Sequence, residues 1–358
     1  MYTPIVFSIV FYLFVSLLVI TILLDSYTKK RILNIKGEEK YLYLVPLFLV
    51  ILIGFRPVGI DGFIDSGMYE ALFRKADIRG TSPMIHKDVI FGYLVLFISY
   101  FTNERGFFVS CGLISVLLLI FTAKYISKKY WILFFISHAA SLYYWNYNVY
   151  GIRQGLASSI FLYAIFVKKW WWKLLLMIVA LGIHFSIILP ILGYICTVFV
   201  RRVYKSFYIV WILVIPISYF FGSKIEYIIS LFVPDKRAGY LTRHDMDRQG
   251  FRLDMIAYSF VLIAISYYFI YIEKIKDKTY QRIVNLFIFT NTIFLFLIRV
   301  NHAHRFAYLS WFLASLVVFY PFFISHNGRL KEKYKMFSQT LLVFFTFVLL
   351  HFIKITFF

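Results

Sequence analysis

Residues 170–200 read WWWKLLLMIVALGIHFSIILPILGYICTVFV, an apolar run of 31 residues with a single lysine near its start. A helix needs about 20 mostly apolar residues to cross a bilayer. This run is therefore long enough to cross twice, or once as a helix kinked at Pro190. No water-soluble core needs such a stretch, and the rest of the chain repeats the pattern. Of 358 residues, 61% are hydrophobic, 22% aromatic and 15% charged, with a mean hydropathy of +0.78. Soluble domains carry about 25% charged residues, so this chain could not cover its own surface in water. Lipid must be the solvent for most of it.

Working outward from that run, further apolar segments cover 5–24, 41–54, 89–102, 107–123, 130–147, 152–167, 207–222, 254–272, 283–298, 306–324 and 338–353. They predict an all-α polytopic membrane protein of about 11–12 transmembrane helices forming one multi-span domain over 1–358. Met1 to Leu24 lacks a basic leader and a small-residue cleavage site, and reads as a retained first span. Segment 89–102 is short for a crossing. If it lies in the interface and 170–200 forms a two-pass hairpin, the basic clusters obey the positive-inside rule. One face then carries 22 Lys/Arg in about 57 loop residues, the other 15 in about 96. Both termini and two long loops, 55–106 and 223–253, fall on the less basic, outer face.

The formal net charge of +21 tempts a nucleic-acid reading. The cations sit in short clusters between apolar runs, so membrane orientation explains them and no nucleic-acid partner is expected. Cys111 and Cys196 lie within apolar runs and read as small hydrophobes. They predict neither a disulfide framework nor a metal site. The two faces differ in kind as well as number, since 11 of the 15 outer cations are Arg and 17 of the 22 inner ones are Lys. Lysine suffices for orientation. Arginine adds a planar fork of donors that matches phosphate or carboxylate. An anionic ligand on the outer face follows from that contrast.

Four short constellations could handle such a ligand. In Tyr147-Asn148-Val149-Tyr150-Gly151-Ile152-Arg153-Gln154-Gly155, a guanidinium opens an apolar helix. Charges at that depth usually face a cavity, although an arginine can also snorkel to headgroups. Gln154 and Asn148 favour a polar pocket. His184 and Ser186 sit in the middle of the long apolar run. His184 could act as a general base or contact a phosphate, or it could simply be a buried ring bonded to a carbonyl. Arg299-Val300-Asn301-His302-Ala303-His304-Arg305-Phe306-Ala307-Tyr308 places two Arg and two His between spans. Without Cys or carboxylate beside them an anion-binding turn suits these residues better than a metal site. Arg56-Pro57-Val58-Gly59-Ile60-Asp61 follows a span directly, and Asp61 or Asp65 could be a catalytic carboxylate or ordinary solvated loop. There is no P-loop, zinc-protease or nucleophile-elbow motif. No cofactor is expected, and any work on the outer face must draw on an already activated substrate.

Taken in order, Arg56-Pro57-Val58-Gly59-x-Asp61 with Tyr69 and Phe73, then Arg153-Gln154-Gly155-Leu156-Ala157, then His184-x-Ser186, then Arg305-Phe306 with Tyr308 resemble the EpsG family. These are Wzy-type polysaccharide polymerases of capsule, exopolysaccharide and O-antigen pathways. The resemblance implies a GT-C-like, multi-pass protein of the bacterial inner (cytoplasmic) membrane. It implies joining of oligosaccharide repeats carried on undecaprenyl pyrophosphate, with lipid pyrophosphate as leaving group. His184, Asp61 and Asp65 become the catalytic candidates. Arg56, Arg153, Gln154, Arg299, Arg305 and Tyr308 become candidates for binding the substrate and its pyrophosphate. Membrane lipids, a chain-length regulator and a flippase of the same pathway are the expected partners. A lipid-linked oligosaccharide flippase or secondary transporter, and an O-antigen ligase-like transferase, share the span count.

Overall fold

The computed structural model describes residues 4–28, 39–58, 64–82, 88–231, 250–300, 302–324 and 333–357. They are overwhelmingly helical, and no strand occurs among them. Six helices are long and apolar enough to cross a membrane: Pro4–Thr28, Glu104–Ile126, Lys205–Ile228, Leu253–Ile272, Ala303–Phe323 and Tyr334–Ile353. Five shorter apolar helices accompany them. Large apolar side chains point outward, as on the first helix, where Leu17 is 65% exposed. That surface is stable only against lipid, and the chain is a multi-pass membrane protein.

The chain divides into two compact units, one of Met1–Ile187 with Phe322–Phe358 and one of Ile188–Pro321. In the first, α1 (Pro4–Thr28) packs along the last helix, α15 (Tyr334–Phe357). Polar side chains join their ends, with Ser26 Oγ 2.7 Å from Ser338 Oγ and the Tyr334 hydroxyl donating to Asp25 Oδ2 at 3.3 Å. A turn at Glu39–Leu42 leads into α2 (Leu44–Gly54), then α3 (Ile64–Arg79) and α4 (Val89–Ser99). The next helix, α5 (Glu104–Ile126), is capped by Asn103, whose Oδ1 accepts from the Gly106 amide at 3.0 Å. It packs against α2 and against α7 (Ile152–Phe166).

Between α5 and α7 the segment 130–147 is not one span. It forms α6 (Trp131–Ala139), a bend, and a seven-residue π-helix, Tyr144–Tyr150. Wider turns of this kind recur at functional sites. Segment 170–200 breaks as well, but not at Pro190. α8 (Trp170–Ile183) ends at His184, which is extended, and a 3-10 turn at Phe185–Ile187 precedes α9 (Ile188–Phe199). Pro190 falls in the first turn of α9, where its missing N–H would have had no helical partner.

In the second unit, α9 and α10 (Lys205–Leu231) pack on α12 (Lys278–Phe296). With them stand α11 (Leu253–Tyr267), its π-helical continuation Tyr268–Ile272, and α13 (Ala303–Trp311); α14 (Ala314–Phe323) closes the sequence at the unit boundary. Their core is tied by Asn291 on α12. Its Oδ1 accepts from Trp211 Nε1 at 2.8 Å, and its Nδ2 lies 3.0 Å from Ser259 Oγ and 2.9 Å from Ser310 Oγ. Four helices share one buried amide, and a satisfied network of this kind specifies a single packing.

Candidate functional site

α7 and α8 are joined by Val167–Lys169 and pack on each other. So short a connection makes them antiparallel neighbours. The start of α7 and the end of α8 therefore lie at the same end of the pair, which brings Arg153 and His184 together. At the other end Trp170, Trp171 and Trp172 are 73%, 45% and 44% exposed among Lys168, Lys169 and Lys173. A Trp/Lys belt of that kind marks a membrane boundary.

Arg153 is the second residue of α7, with its side chain 19% exposed. Its Nη1 lies 2.9 Å from Asp88 Oδ2. The guanidinium carbon lies 5.9 Å from the centre of the Tyr69 ring and 5.8 Å from that of Phe91, within cation–π range of both. Burial raises the Tyr69 phenol above its ordinary value, and the charge of Arg153 opposes the shift. Asp88 immediately precedes α4 and is itself buried. Its other oxygen, Oδ1, accepts the Phe185 amide at 2.8 Å. One carboxylate thus spans from Arg153 to the break beside His184.

The glycine of Arg153-Gln154-Gly155 has a steric reason. A Cβ there would stand 2.3 Å from the Tyr147 carbonyl oxygen, 2.7 Å from its carbon and 2.9 Å from Asn148 Cα. α7 can begin against the π-helix only because that atom is missing. Gly182 plays the same part at the end of α8, where a Cβ would meet Ile90 of α4 at 2.4 Å. That close approach holds the start of α4, and so Asp88, against the break.

Arg56 is fully buried beyond the end of α2. Its Nε donates to the Ile53 carbonyl at 2.8 Å, its Nη1 donates to the Val149 carbonyl, and its guanidinium carbon lies 4.9 Å from the Phe108 ring centre. Arg105 in turn donates to the Arg56 carbonyl at 2.7 Å. Arg56 therefore clamps the π-helix, and only its Nη2 is left over. Asn148 faces the α5–α7 contact, where its Oδ1 accepts from Ser115. Around Arg153 and the π-helix the buried side-chain atoms without a partner are, among the described residues, Arg56 Nη2, Ser66 Oγ, the Tyr144 hydroxyl, Asn148 Nδ2, Arg153 Nε and Gln154 Nε2. Four are nitrogens that can only donate, and two are hydroxyls that can donate or accept.

His184 Nδ1 lies 3.2 Å from the Ser186 amide and 2.8 Å from Ser186 Oγ. A backbone N–H can only donate, so Nδ1 accepts, and the neutral ring carries its proton on Nε2. Of the carboxylate candidates, Asp65 is exposed in the first turn of α3, and Asp61 lies outside the described residues.

The second unit holds the remaining candidates. Arg299 follows α12 half-buried, its Nη1 donating to the Tyr219 carbonyl at 2.9 Å. His302 opens α13 in the left-handed conformation, φ 58°, a backbone that costs energy for any residue but glycine. Arg305 is exposed, and Tyr308 is buried with its ring 6.2 Å from His304 and 5.2 Å from Trp311. Arg252, before α11, forks onto Asp254 at 2.8 and 2.7 Å, and that bond raises its pKa. Among the described residues no three His, Cys, Asp or Glu stand together as metal ligands. Asp88 and Arg252 were missed as site residues by sequence reasoning, because a lone charge in a polar loop gives no signal of its partner.

In comparison with known proteins, the EpsG family model matches residues 39–358. No curated protein and no solved structure matches the chain.

Proposed function

The chain belongs to the EpsG family, a Wzy-type polysaccharide polymerase-like family, and from that premise we propose that it polymerises oligosaccharide repeats carried on undecaprenyl pyrophosphate. A hydroxyl at the non-reducing end of one repeat attacks the anomeric carbon of the growing chain. The new C–O bond forms as the bond to the pyrophosphate breaks, and the lipid pyrophosphate leaves with the bonding pair. The hydroxyl proton passes to a carboxylate of the 55–106 loop, Asp61 or Asp65. The leaving group is already activated, so no nucleotide is required.

The observation that carries this reading is the set of unpartnered donor nitrogens around Arg153. Four buried nitrogens without acceptors, one of them on an ion-paired arginine, suit a ligand that brings only acceptor oxygens. A pyrophosphate is such a ligand, and its charge grows as the glycosidic bond breaks. Preorganised donors act most strongly on charge that develops in the transition state. We assign His184, whose neutral ring carries its proton on Nε2, to the same group as Arg153 and Gln154. Arg299, Arg305 and Tyr308 form the second binding group, and Arg56 serves by holding the π-helix.

The test is the purified full-length protein in proteoliposomes with a defined lipid-linked repeat. Wild type should give a ladder of polymer. Arg153→Ala should lower turnover about 10²–10³-fold and leave single repeats. Arg153→Lys should recover little, because an ammonium cannot reproduce the fork. Breaks within helices also serve transporters. Movement of the lipid-linked repeat across the bilayer without any joining would favour a flippase and overturn the polymerase reading.

A further inference from the structure

Asp88 stands where an aspartate normally caps its own helix. It is the residue before α4, yet its side chain makes no capping bond. A capping carboxylate is a common local stabiliser, and here both oxygens are directed elsewhere. Oδ2 lies 2.9 Å from Arg153 Nη1, and Oδ1 accepts the Phe185 N–H at 2.8 Å. The residue is buried, so neither bond is a chance surface contact. Gly182 lets Ile90, two residues on from Asp88, press against the end of α8. The carboxylate is thus delivered to the break by packing as well as by charge.

The two bonds have separate consequences. The bond to Arg153 holds the guanidinium by Nη1 and leaves its Nε a buried donor without a partner. The bond to Phe185 fixes the residue after His184, whose ring is in turn locked by Ser186. We propose that Asp88 is a positioning residue: it aims Arg153 and freezes the His184–Ser186 turn in one register, so that Arg153 meets the pyrophosphate beside an ordered turn. This rests on the polymerase reading for the identity of the ligand, but not for the positioning itself. Asp88 does not touch substrate. It sets the direction of the groups that do.

The experiment uses the full-length protein in proteoliposomes, with Asp88→Asn, Asp88→Ala and Asp88→Glu. Asparagine keeps an acceptor for the Phe185 amide, keeps the volume, and loses the charge that holds Arg153. A displacement of about 1 Å in a positioning network costs on the order of 10²-fold in rate. Asp88→Asn should therefore lower kcat about tenfold to a hundredfold with KM for the lipid-linked repeat within about threefold of wild type. Asp88→Glu should recover part of the loss. A second readout does not depend on activity. In a Cys196→Ser background, Ser186→Cys should react with a maleimide at least ten times faster when Asp88 is Ala, because the turn has lost its anchor. Arg153→Ala in the same background should leave that rate unchanged, since it spares the Phe185 bond. Wild-type kcat in Asp88→Asn, or an unchanged labelling rate in Asp88→Ala, overturns the proposal. If wild type makes no polymer at all, the polymerase reading falls, and the labelling arm alone then decides for or against Asp88.

Discussion

Gly155→Ala is the sharpest perturbation of the site that alters no charge and removes no donor. An ideal Cβ at 155 would sit 2.3 Å from the Tyr147 carbonyl oxygen, and ordinary contact begins at 3.4 Å, so the groups must separate by about 1.1 Å. All three nearest atoms belong to backbone, which cannot swing aside as a side-chain tip can. Either the π-helix moves, carrying Asn148 with it, or the first turn of α7 moves, carrying Arg153 and Gln154. Overpacking of this kind costs about 1–3 kcal/mol of stability. An error of about 1 Å at the reacting groups costs on the order of 10²-fold in rate. The rate should therefore fall further than the fold does. In proteoliposomes with a lipid-linked repeat, Gly155→Ala should lose about 99% of turnover while its purified form stays monodisperse in detergent. A variant with wild-type turnover and unchanged thermal stability would refute the steric argument, and with it the claim that the π-helix sets the position of Arg153.

Two further outcomes follow from the same geometry. His184→Ala should reduce kcat about 10²-fold as one donor to developing charge is lost, and Ser186→Ala should reduce it far less, because Ser186 only orients the ring; equal losses would place both residues in packing. For topology, Ser66 is fully buried, whereas Ile78 is 83% exposed on α3. In a Cys196→Ser background, Ile78→Cys should react with an impermeant maleimide on intact spheroplasts, and labelling only after lysis would put the 55–106 loop on the cytoplasmic side.

The membrane class was legible because lipid imposes it on every apolar run at once, and no single residue had to be read correctly. The line of breaks was not. Hydropathy cannot distinguish a continuous span from α6 followed by a π-helix, since both bury the same side chains. Residues 170–200 read either as a two-pass hairpin or as one helix kinked at Pro190, and the break comes without the proline: the helix ends at His184, where an extended residue and a local ring-to-amide bond do what proline usually does. Within the site, Arg153, Gln154 and His184 stood out because polar groups in apolar runs are expensive. Asp88 did not, because a carboxylate in a polar loop is the ordinary case. Its meaning lies entirely in partners 65 and 97 positions away, Arg153 and Phe185, and such pairing leaves no trace in a single sequence.

The shortness of α7 and α8 carries a consequence for the lipid itself. Helices of 15 and 14 residues extend only about 21–22 Å at 1.5 Å per residue. The hydrocarbon layer is about 30 Å thick. With the Trp170–Trp172 end at one interface and the helices along the bilayer normal, Arg153 and His184 would lie about 8–10 Å short of the opposite interface. Under the proposed function, a pyrophosphate at headgroup level would have to sink that far to reach them, or the bilayer to dimple to meet it. The depth would keep water from the breaking bond while the sugars stay above. It also makes turnover depend on bilayer thickness: shorter acyl chains bring the headgroup plane down to the arginine, and longer ones lift the substrate out of reach.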